Sequence, residues 1–539
     1  MTPHTFIQLV DAAQEKFVAE QWDQAADLWN QVINDNPVCG AFWVQLGVSC
    51  YHAGRYRDAV PALEQALALG GGFPAIDFEY GFPWRLAHDL ARCDAQLGEK
   101  DRALDWLKRA LELGYRDRAG IDADECFAAL RDDPALAELR SVPDVSAMTR
   151  DEGWRADLAF LAGEVKRLHY DPYRGHSPQA FDALVRELHD TIPHLSDVQV
   201  VLGVMRLMSR LGDGHSLVDD WDRPEFEDAP LDFYLFEEGL FVTAAAPAYT
   251  DLVGAQVVSI GNHDVDEVIM ALEPFVSRDN DMWLRLIAPH FIRKPHILHA
   301  LGLTAQPDHL PLILRSNAGE TYRAEVPHAG AIPWPLPEDW PTVPKRAGEL
   351  PRWLRDDGPY WYEHLADEKT VYVQHKSVAD KEGDPFEAFV GRLFDVIEQH
   401  EVTKLVLDLR RNGGGDTLLL EPLVKGLMRS SRVNRRGHLF IIVGRNTFSA
   451  AMNEATLLER FTEAIFVGEP TGSSPNFVGE TVYLTPPYSK LKVSISDLYW
   501  QTSWPSDHRR WLAPSIYVPP TFTAYRENRD QALEAALDY

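Results

Sequence analysis

Two patterns of apolar residues alternate along the chain, one with the spacing of amphipathic helices and one with the continuous runs of buried strands. Helical spacing fills the first 115 residues and returns in 151–211, where Val200, Val204 and Leu207 mark one face of a helix. Short strand-like runs (LDFYLF, GLFVTAAA and GAQVVSIGN) follow, and the C-terminal part mixes strands with helices. The pattern predicts a multidomain α/β protein with a helical N-terminal part.

An internal repeat organises the N-terminal helical part. Ala25 and Ala59 are 34 residues apart, which is the period of tetratricopeptide repeats, and a third unit follows around Ala103. Small residues at these positions let paired helices approach closely. We therefore predict an all-α tetratricopeptide-repeat (TPR) solenoid over residues 1–140. Its concave face is a candidate surface for a protein partner, and docking of this face on the rest of the chain is an equally open alternative.

Two strands in the C-terminal part end at turns that carry candidate catalytic residues. The strand at 404–409 leads into a Gly-Gly-Gly turn at 413–415, which has no Cβ atoms to hold its N–H groups away from a ligand. The strand at 439–443 leads through a short loop to Ser449 at the start of a helical run. A Ser in a strand-turn-helix bend lies near unpaired N–H groups. Ser is also a common N-cap residue, but the pairing with the triple glycine favours a nucleophile.

These turns resemble the signature of the C-terminal processing (tail-specific) serine peptidases, a family whose relatives include the tricorn core and the interphotoreceptor retinoid-binding proteins. The family pattern D-x-R-x-N-x-G-G matches residues 408–415, and T-x-S-A matches 447–450. A third block, VGEPTG at 467–472, is similar to the strand that follows the nucleophile helix. The three ordered blocks make roughly the last 190 residues similar to the family, with weaker similarity back to about residue 151.

The resemblance implies a domain organisation for the rest of the chain. Residues 345–539 would form a ClpP/crotonase-like α/β peptidase core, and residues 151–225 a helical subdomain that carries the base His. Residues 226–335 are similar to the PDZ-like β-rich module of this family, which grips a chain terminus by adding it to a sheet as a strand. The usual carboxylate-binding GLGF loop is not evident in this segment, so a plain structural β insertion remains open.

The resemblance also implies a serine-peptidase site, with Ser449 as the nucleophile and His215 as the general base. In tricorn-like members a Ser precedes this His, whereas the residue here is Gly214. The implied supporting residues are Asp507 as the acid that orients the base, Gly414 and Ala450 as the oxyanion-hole donors, and Asn412 and Gly415 as substrate-binding residues.

The choice of a His base rests on a missing lysine. Many tail-specific members use a Lys about 25 residues after the nucleophile, but Ser473 and Ser474 stand at this place here. No Lys occurs between Ser449 and Lys490. A His base predicts that activity rises through a pKa of roughly 6 to 7.

The composition limits which classes of partner the protein is expected to bind and where in the cell it is expected to be. The formal net charge of -30, from 52 basic and 82 acidic residues, argues against nucleic acid and anionic membranes. The first 30 residues carry acids throughout, and no apolar run approaches a membrane span, so we expect a cytoplasmic protein without a signal peptide. No metal-ligand cluster or phosphate-binding loop is evident, so no metal or cofactor is expected. The expected partner is a peptide or protein substrate, and oligomer formation stays open.

Two alternatives from other functional classes remain. The peptidase scaffold could be a catalytically silent binder of peptides or lipids, as the retinoid-binding relatives illustrate for this fold. In the second alternative the TPR part is the functional region, and the protein is a scaffold that holds partner chains.

Overall fold

The computed structural model describes residues 2–71, 81–118, 120–140, 143–219, 223, 226–333, 335–343 and 351–539. The chain divides into two compact units, Met1–Ser146 and Ala147–Tyr539. The first unit is helical and the second mixes helices with three sheets, so the predicted α/β character with an all-α N-terminal part is confirmed.

Consecutive helices of the first unit pack on one another, as in a solenoid. The residues that set the 34-residue repeat, Ala25 and Ala59, are fully buried, as is Ala103 of the next helix pair. Their small side chains allow the close helix approach that the sequence pattern predicts. The helices are α1 (Pro3–Val18), α2 (Trp22–Asp35), α3 (Gly40–His52), α4 (Tyr56–Ala68), α5 (Pro83–Gln96), α6 (Lys100–Glu112), α7 (Gly120–Ala123) and α8 (Pro134–Arg140).

The second unit contains the remaining helices and all strands of the described residues. Its helices are α9 (Arg150–Leu168), α10 (Pro178–Thr191), α11 (Asp197–Ser209), α12 (Val265–Leu272), α13 (Asp281–Ile292), α14 (Pro295–Ala300), α15 (Phe386–Gln399), α16 (Glu421–Arg429), α17 (Ala450–Phe461), α18 (Phe522–Arg526) and α19 (Gln531–Asp538). Its strands are β1 (Leu217–Val218), β2 (Leu231–Phe236), β3 (Gly239–Ala245), β4 (Gln256–Ile260), β5 (His263–Asp264), β6 (His309–Arg315), β7 (Thr321–Pro327), β8 (Tyr360–Leu365), β9 (Thr370–His375), β10 (Lys404–Asp408), β11 (Leu439–Val443), β12 (Ile465–Gly468), β13 (Asn476–Leu484), β14 (Val493–Gln501) and β15 (Ile516–Tyr517).

A mostly parallel sheet forms the centre of the second unit, in the order β15-β12-β11-β10-β9-β8. Only the edge strand β8 runs antiparallel to its neighbour among these strands. Leu405 and Leu407 pack in the core with α15, α16 and α17, while Val406 faces the opposite core with α19. Burial on both faces explains why this strand is a continuous apolar run. It ends at Asp408, one residue before the predicted end, and the N–H of Leu409 then bonds to Ile442.

Two antiparallel sheets complete the second unit. One has the order β2-β3-β4-β6-β7, with β5 paired to β4, and accounts for the β-rich pattern predicted after residue 226. The other is a long hairpin of β13 and β14 to which the short strand β1 is added. Leu217 of β1 pairs with Ser494, and Val218 with Val493. This pairing fixes the segment that directly follows His215.

The ends of the parallel strands gather the signature segments at one edge of the central sheet. Because β9 to β12 are parallel, their C-terminal ends share this edge, where α/β proteins commonly bind ligands. The triple glycine follows β10, Ser449 follows β11, and Ser473 follows β12. None of the helices in the described ranges combines the length and the hydropathy needed to span a membrane.

The junction of the two units gives a testable prediction. The linker predicted at 141–151 includes the unit boundary after Ser146, and Pro143, Asp144 and Ser146 are exposed, while 141–142 lie outside the described residues. We expect limited proteolysis to cut first near this boundary and to release a helical fragment of roughly 140 residues. Mass spectrometry of the fragments identifies the cut. First cuts inside the repeats would contradict a separable N-terminal domain.

Candidate active site

Ser449 occupies a strained bend between β11 and α17. Its φ of 54° and ψ of -126° lie where residues with a side chain are rarely found. The bend places Ser449 at the N-terminus of α17, where the first N–H groups of a helix have no partner within the helix. Strand-turn-helix bends of this kind expose nucleophiles in other hydrolases. The geometry is therefore that expected of a nucleophile rather than of an N-cap, and Ser449 makes no side-chain capping hydrogen bond.

Buried hydrogen bonds connect the bend to the turn that follows β10. The Thr447 hydroxyl donates to the carbonyl of Leu409 at 2.9 Å and accepts from the N–H of Gly444 at 3.1 Å. The N–H of Phe448 donates to the carbonyl of Asn412 at 3.2 Å. These bonds hold the ends of two neighbouring strands together, so the bend and the glycine turn form one rigid element.

The glycine turn approaches Ser449 so closely that side chains are excluded. A Cβ atom on Gly414 would lie 2.6 Å from the Cβ of Ser449, and one on Gly415 would lie 2.0 Å from the carbonyl oxygen of Val378. Both glycines have positive φ angles, 117° and 136°. Gly415, predicted to bind substrate, thus packs against the Val378 backbone.

The predicted oxyanion-hole donors differ in availability. The N–H of Ala450 has no hydrogen-bond partner within the described ranges and lies 3.1 Å from the Cβ position of Gly414. By contrast, the N–H of Gly414 donates to the side-chain oxygen of Asn412 at 3.0 Å. The amide nitrogen of Asn412 is buried and has no partner among the described residues. Of the two predicted oxyanion-hole donors, Ala450 is therefore the one with a free N–H, while Asn412, predicted to bind substrate, keeps an unpartnered amide nitrogen.

His215 lies in a stack of aromatic rings beside the bend. Its ring centroid is 4.5 Å from that of Phe448 and 5.6 Å from that of Phe477. On its other face, Phe448 stacks on Trp283 at 4.0 Å. Because Phe448 precedes Ser449, the stack brings the predicted base and nucleophile into one cluster. Both ring nitrogens of His215 are buried without a hydrogen bond to any described residue, Ser449 included.

The buried carboxylate of Asp213 orders the turn that carries His215. One oxygen accepts the N–H groups of His215 at 2.9 Å and Ser216 at 2.6 Å, and the hydroxyl of Ser496 at 2.8 Å. The other oxygen lies 2.9 Å from Nε2 of His169. Burial alone would raise the pKa of Asp213, but the bonds from His169 and Ser496 outweigh it and lower this pKa. A charged Asp213 thus anchors the turn from inside the core.

Burial in the aromatic stack lowers the pKa of His215 to about 4. The loss of water around the ring disfavours the imidazolium, and the opposing effects of Asp213 and the backbone of Val478 are smaller. The backbone of Val478 lies near the ring and influences its pKa, but it does not form a hydrogen bond with either ring nitrogen. This pKa of His215 is lower than the 6 to 7 expected from the sequence, because that expectation assumed a hydrated ring. His215 is therefore neutral and able to accept a proton at neutral pH.

Asp507, predicted to orient the base, has other partners in the structure. Its carboxylate accepts hydrogen bonds from Arg509, at 2.8 Å from Nη2, and from the hydroxyl of Ser503 at 2.6 Å. The Arg509 bond is the main cause that lowers the pKa of Asp507. Arg509 in turn forms an ion pair with Glu459. Within the described part of the chain no hydrogen bond joins Asp507 to His215, because these bonds hold the carboxylate in its own loop.

A second carboxylate beside this turn, the partly buried Asp279, was not predicted from the sequence. It accepts the N–H of Gly214 at 3.0 Å and a hydrogen bond from the hydroxyl of Ser473. Burial raises the pKa of Asp279 to about 6, although the Ser473 bond opposes the shift. Asp279 thus bridges the residue before His215 and the turn where many family members carry a Lys. No sequence motif marks it, since its contacts join segments more than 60 residues apart.

The acidic and basic residues of the glycine signature are structural. Arg410 donates to Asp408 at 2.9 Å and forms a two-point ion pair with Asp530 at 2.8 and 2.9 Å. The hydroxyl of Tyr372 also donates to Asp408, at 2.7 Å. These bonds attach the end of β10 to the residue before α19. A further buried pair, His375 and Glu454 at 3.0 Å, joins the end of β9 to α17.

A cavity of about 750 Å³ opens at the same edge of the sheet. Ser449 and His215 do not line it, but Ser377 and Asn446 do. The Ser377 hydroxyl donates to the carbonyl of Gly414 at 3.4 Å, and the Asn446 amide donates to the carbonyl of Arg411 at 3.2 Å. Strand β2 forms another wall. The cavity therefore adjoins the glycine turn without containing the nucleophile.

Comparison with protein-family models places a tetratricopeptide-repeat model on residues 10–74, which confirms the predicted repeat. Comparison with curated protein sequences gives no match. The repeat match covers a small part of the chain and concerns the N-terminal unit.

Solved structures resemble a larger part of the chain. Mature CPAF complexed with lactacystin has a TM-score of 0.51 at 13% identity, over 72% of this chain and 97% of that chain. Mature CPAF gives the same score and identity over 72% and 96%. The photosystem II D1 C-terminal processing protease covers 72% and 97% at 13% identity, with a TM-score of 0.34. The predicted TPR repeats are confirmed, and the CPAF likeness establishes a shared fold over 72% of this chain.

The glycine turn gives a matched pair of substitutions. Gly415→Ala should lower the free energy of unfolding by about 2–4 kcal/mol, because its Cβ would collide with the Val378 backbone and φ is positive. Gly413→Ala, two residues away, should cost less than about 1 kcal/mol, since its Cβ would meet only Asn446 at 3.7 Å. Denaturant unfolding measures both values. Equal losses would show that the close approach at Gly415 does not constrain the turn.

Proposed function

We propose that this protein is a serine peptidase in which Ser449 attacks the scissile carbonyl and His215 is the general base. The observation that carries the proposal is the strained bend of Ser449 against the Gly414 turn, with the His215 ring one stacked residue away. The fold shared with CPAF supports the same function. A Ser–His pair is preferred to Ser–Lys, because Ser473 occupies the turn and Lys490 is exposed in the β13–β14 hairpin.

The proposed reaction follows acyl transfer. The bond between Ser449 Oγ and the carbonyl carbon forms while His215 takes the hydroxyl proton. The carbonyl oxygen becomes an oxyanion near the free N–H of Ala450 and the unpartnered amide of Asn412. His215 then gives its proton to the leaving amine as the C–N bond breaks. A water molecule, deprotonated by His215, then attacks the acyl carbon, and His215 returns the proton to Ser449 Oγ as the ester bond breaks and the acid product leaves.

The finer architectural features are also proposals. We propose a ClpP/crotonase-like core around the parallel sheet and a PDZ-like role for the β2-β3-β4-β6-β7 sheet. The four-part division of the chain, a cytoplasmic location and an open oligomeric state stay predictions from the sequence. Of these, the PDZ-like role bears most directly on substrate, because β2 borders the cavity next to the glycine turn.

Active-site labelling tests the nucleophile and the base. A fluorophosphonate probe should label the protein, and Ser449→Ala should abolish labelling and peptide hydrolysis. His215→Ala should lower kcat/KM nearly as much as Ser449→Ala, because the two act as a unit. Lys490→Ala is the control and should stay near wild type.

Two outcomes would contradict this assignment. Loss of activity in Lys490→Ala with near-normal turnover in His215→Ala would show that Lys490 is the base. Absence of labelling in protein whose folding is verified by circular dichroism would favour the silent binder.

The pH profile tests the environment of the base. Since burial lowers the pKa of His215 to about 4, its neutral form predominates above this pH. We expect kcat/KM of an uncharged peptide substrate to rise through pH 4 and then to stay level to neutral pH. A rise near pH 6 that disappears in Asp279→Asn would assign this limb to Asp279 instead. A rise at 6 to 7 that Asp279→Asn leaves unchanged would mean a hydrated His215.

Matched carboxyl substitutions identify the acid that supports His215. Asp213→Asn should lower kcat/KM at least about a hundredfold, because the charge that orders the 213–216 turn is lost. Asp507→Asn should lower it about tenfold or less, since this carboxylate is paired with Arg509. Thermal unfolding of both variants separates misfolding from slower catalysis. A loss in Asp507→Asn as large as that in His215→Ala would restore Asp507 as the third member of a triad.

A further inference from the structure

We infer that Asp279 is a positioning residue for the proposed base, and that it acts with Ser473 to hold His215 at a fixed place relative to Ser449. This role rests on the proposed peptidase function and extends it to a residue from another segment. Asp279 directly precedes the N-cap of α13 and lies outside every block of the family signature. Its basis is a series of hydrogen bonds between the turn of the base and the bend of the nucleophile.

Gly214, the residue before the proposed base, has no room for a side chain. A Cβ atom on Gly214 would lie 2.7 Å from the ring of Phe448. Only the backbone of Gly214 can be bound, and its N–H donates to Asp279 at 3.0 Å. Asp213 binds the next N–H, that of His215, from within the same turn. Asp279 comes from 65 residues away, so its bond relates the turn to a different part of the fold.

The second oxygen of Asp279 connects to the segment of the nucleophile through Ser473. The buried hydroxyl of Ser473 donates to this oxygen. The preceding residue, Gly472, donates its N–H to the carbonyl of Thr447 at 3.2 Å, two residues before Ser449. Since each carboxylate oxygen has its own partner, the side chain keeps one orientation and sets the distance between the two segments.

The residues after Asp279 hold its backbone in place. The side chain of Asn280 is fully buried, and its amide donates to the carbonyl of Thr471 at 3.1 Å. Its oxygen accepts N–H groups at the start of α13. Trp283 then stacks on Phe448 at a centroid distance of 4.0 Å. These anchors do not involve the carboxylate of Asp279, so we expect its removal to displace the turn of the base while the segment stays folded.

The contribution of Asp279 is geometric. A general base must lie within hydrogen-bond reach of the proton that it takes, and a displacement of about 1 Å can lower a rate about a hundredfold. Neither ring nitrogen of His215 has a hydrogen-bond partner among the described residues, so no bond to Ser449 fixes the ring. The ring is placed by its stacking contacts and by the backbone of its turn, and Asp279 acts on this backbone. An oxygen acceptor at position 279 is therefore the essential feature.

Substitutions at position 279 of the full-length protein test this role. Fluorophosphonate labelling at increasing probe concentration gives a maximal rate, which reports attack by Ser449, and a half-saturating concentration. We expect Asp279→Ala to lower the maximal rate about ten- to a hundredfold and to change the half-saturating concentration less than about twofold. Asp279→Asn should stay within about threefold of the wild type, because its amide oxygen still accepts the N–H of Gly214.

The His215→Ala background separates positioning of the base from general destabilisation. If Asp279 acts through His215, Asp279→Ala should lower the residual labelling rate of His215→Ala by less than about twofold. Ser473→Ala removes one partner of the carboxylate, so it should lower the wild-type rate about three- to tenfold and have no further effect in this background. Asp266→Ala is the matched control, because Asp266 is exposed on α12, and it should match its parent in both backgrounds. The melting temperature verifies folding, and Ser473→Ala carries the same comparison if Asp279→Ala does not fold.

Three outcomes would overturn this role. They are an unchanged rate in Asp279→Ala, an equal fractional loss in both backgrounds, and a loss in Asp279→Asn as large as that in Asp279→Ala. The last would assign the effect to the charge and not to the hydrogen bond. Failure of the proposed function has a different signature, namely a folded wild type that is not labelled or a wild-type rate in His215→Ala. Labelling that depends on His215 but not on Asp279 would remove the positioning role alone.

Discussion

The burial of His215 between Phe448 and Phe477 depends on a contact between distant parts of the chain. His215, the proposed base, is 234 residues before Ser449 in sequence, so no local structure can bring the two together. The short strand β1 does so by pairing with β14, and the Asp213 carboxylate strengthens the pairing through the hydroxyl of Ser496. A change that weakens this pairing would move His215 without altering the bend that carries Ser449. The site therefore depends on the hairpin as much as on the parallel sheet.

The loss of water around His215 affects its pKa and those of the two nearby carboxylates, Asp213 and Asp279, in different ways. The same loss of water lowers the pKa of His215 and raises that of Asp279, because each shift favours the uncharged form. Asp213 escapes this effect, since His169, Ser496 and two N–H groups surround its charge. A charged residue thus orders the turn while the residue it orders stays neutral. This separation is what a general base requires before it receives a proton.

The sequence predicted features that depend on neighbouring residues. The TPR period and the strand-turn-helix around Ser449 are local patterns, and both correspond to elements of the structure. The glycine turn was also found from the sequence, and the structure gives its physical reason, since a Cβ atom on Gly414 would lie 2.6 Å from the Cβ of Ser449. By contrast, the stack around His215 and the role of Asp279 arise from contacts between remote segments. They have no periodicity or motif, and for the same reason the sequence did not indicate that burial lowers the pKa of His215 to about 4.

Asp507 illustrates a further limit of sequence reasoning. Its position after the nucleophile suits a third catalytic residue, but the sequence does not reveal that Arg509, two residues later, occupies its carboxylate. A bond to a residue nearby in sequence costs less conformational entropy than a bond to a distant residue, because a shorter loop is closed. Residues of the glycine signature can likewise stabilise the fold, as Arg410 does through its hydrogen bonds to Asp408 and Asp530. Matching a motif therefore identifies a site more reliably than it assigns the role of each residue.

Each of the five consecutive residues 446–450 at the bend makes a different contribution to the site. Asn446 lines the cavity, the Thr447 hydroxyl bonds to Leu409 after β10, and Phe448 stacks on His215. Ser449 holds the strained conformation, and Ala450 presents a free N–H. The Thr447 hydroxyl joins this segment to the carbonyl of Leu409 and to the N–H of Gly444, and the N–H of Phe448 donates to the carbonyl of Asn412. The same short segment therefore both adjoins the cavity and holds the Ser449 bend against the turn that follows β10.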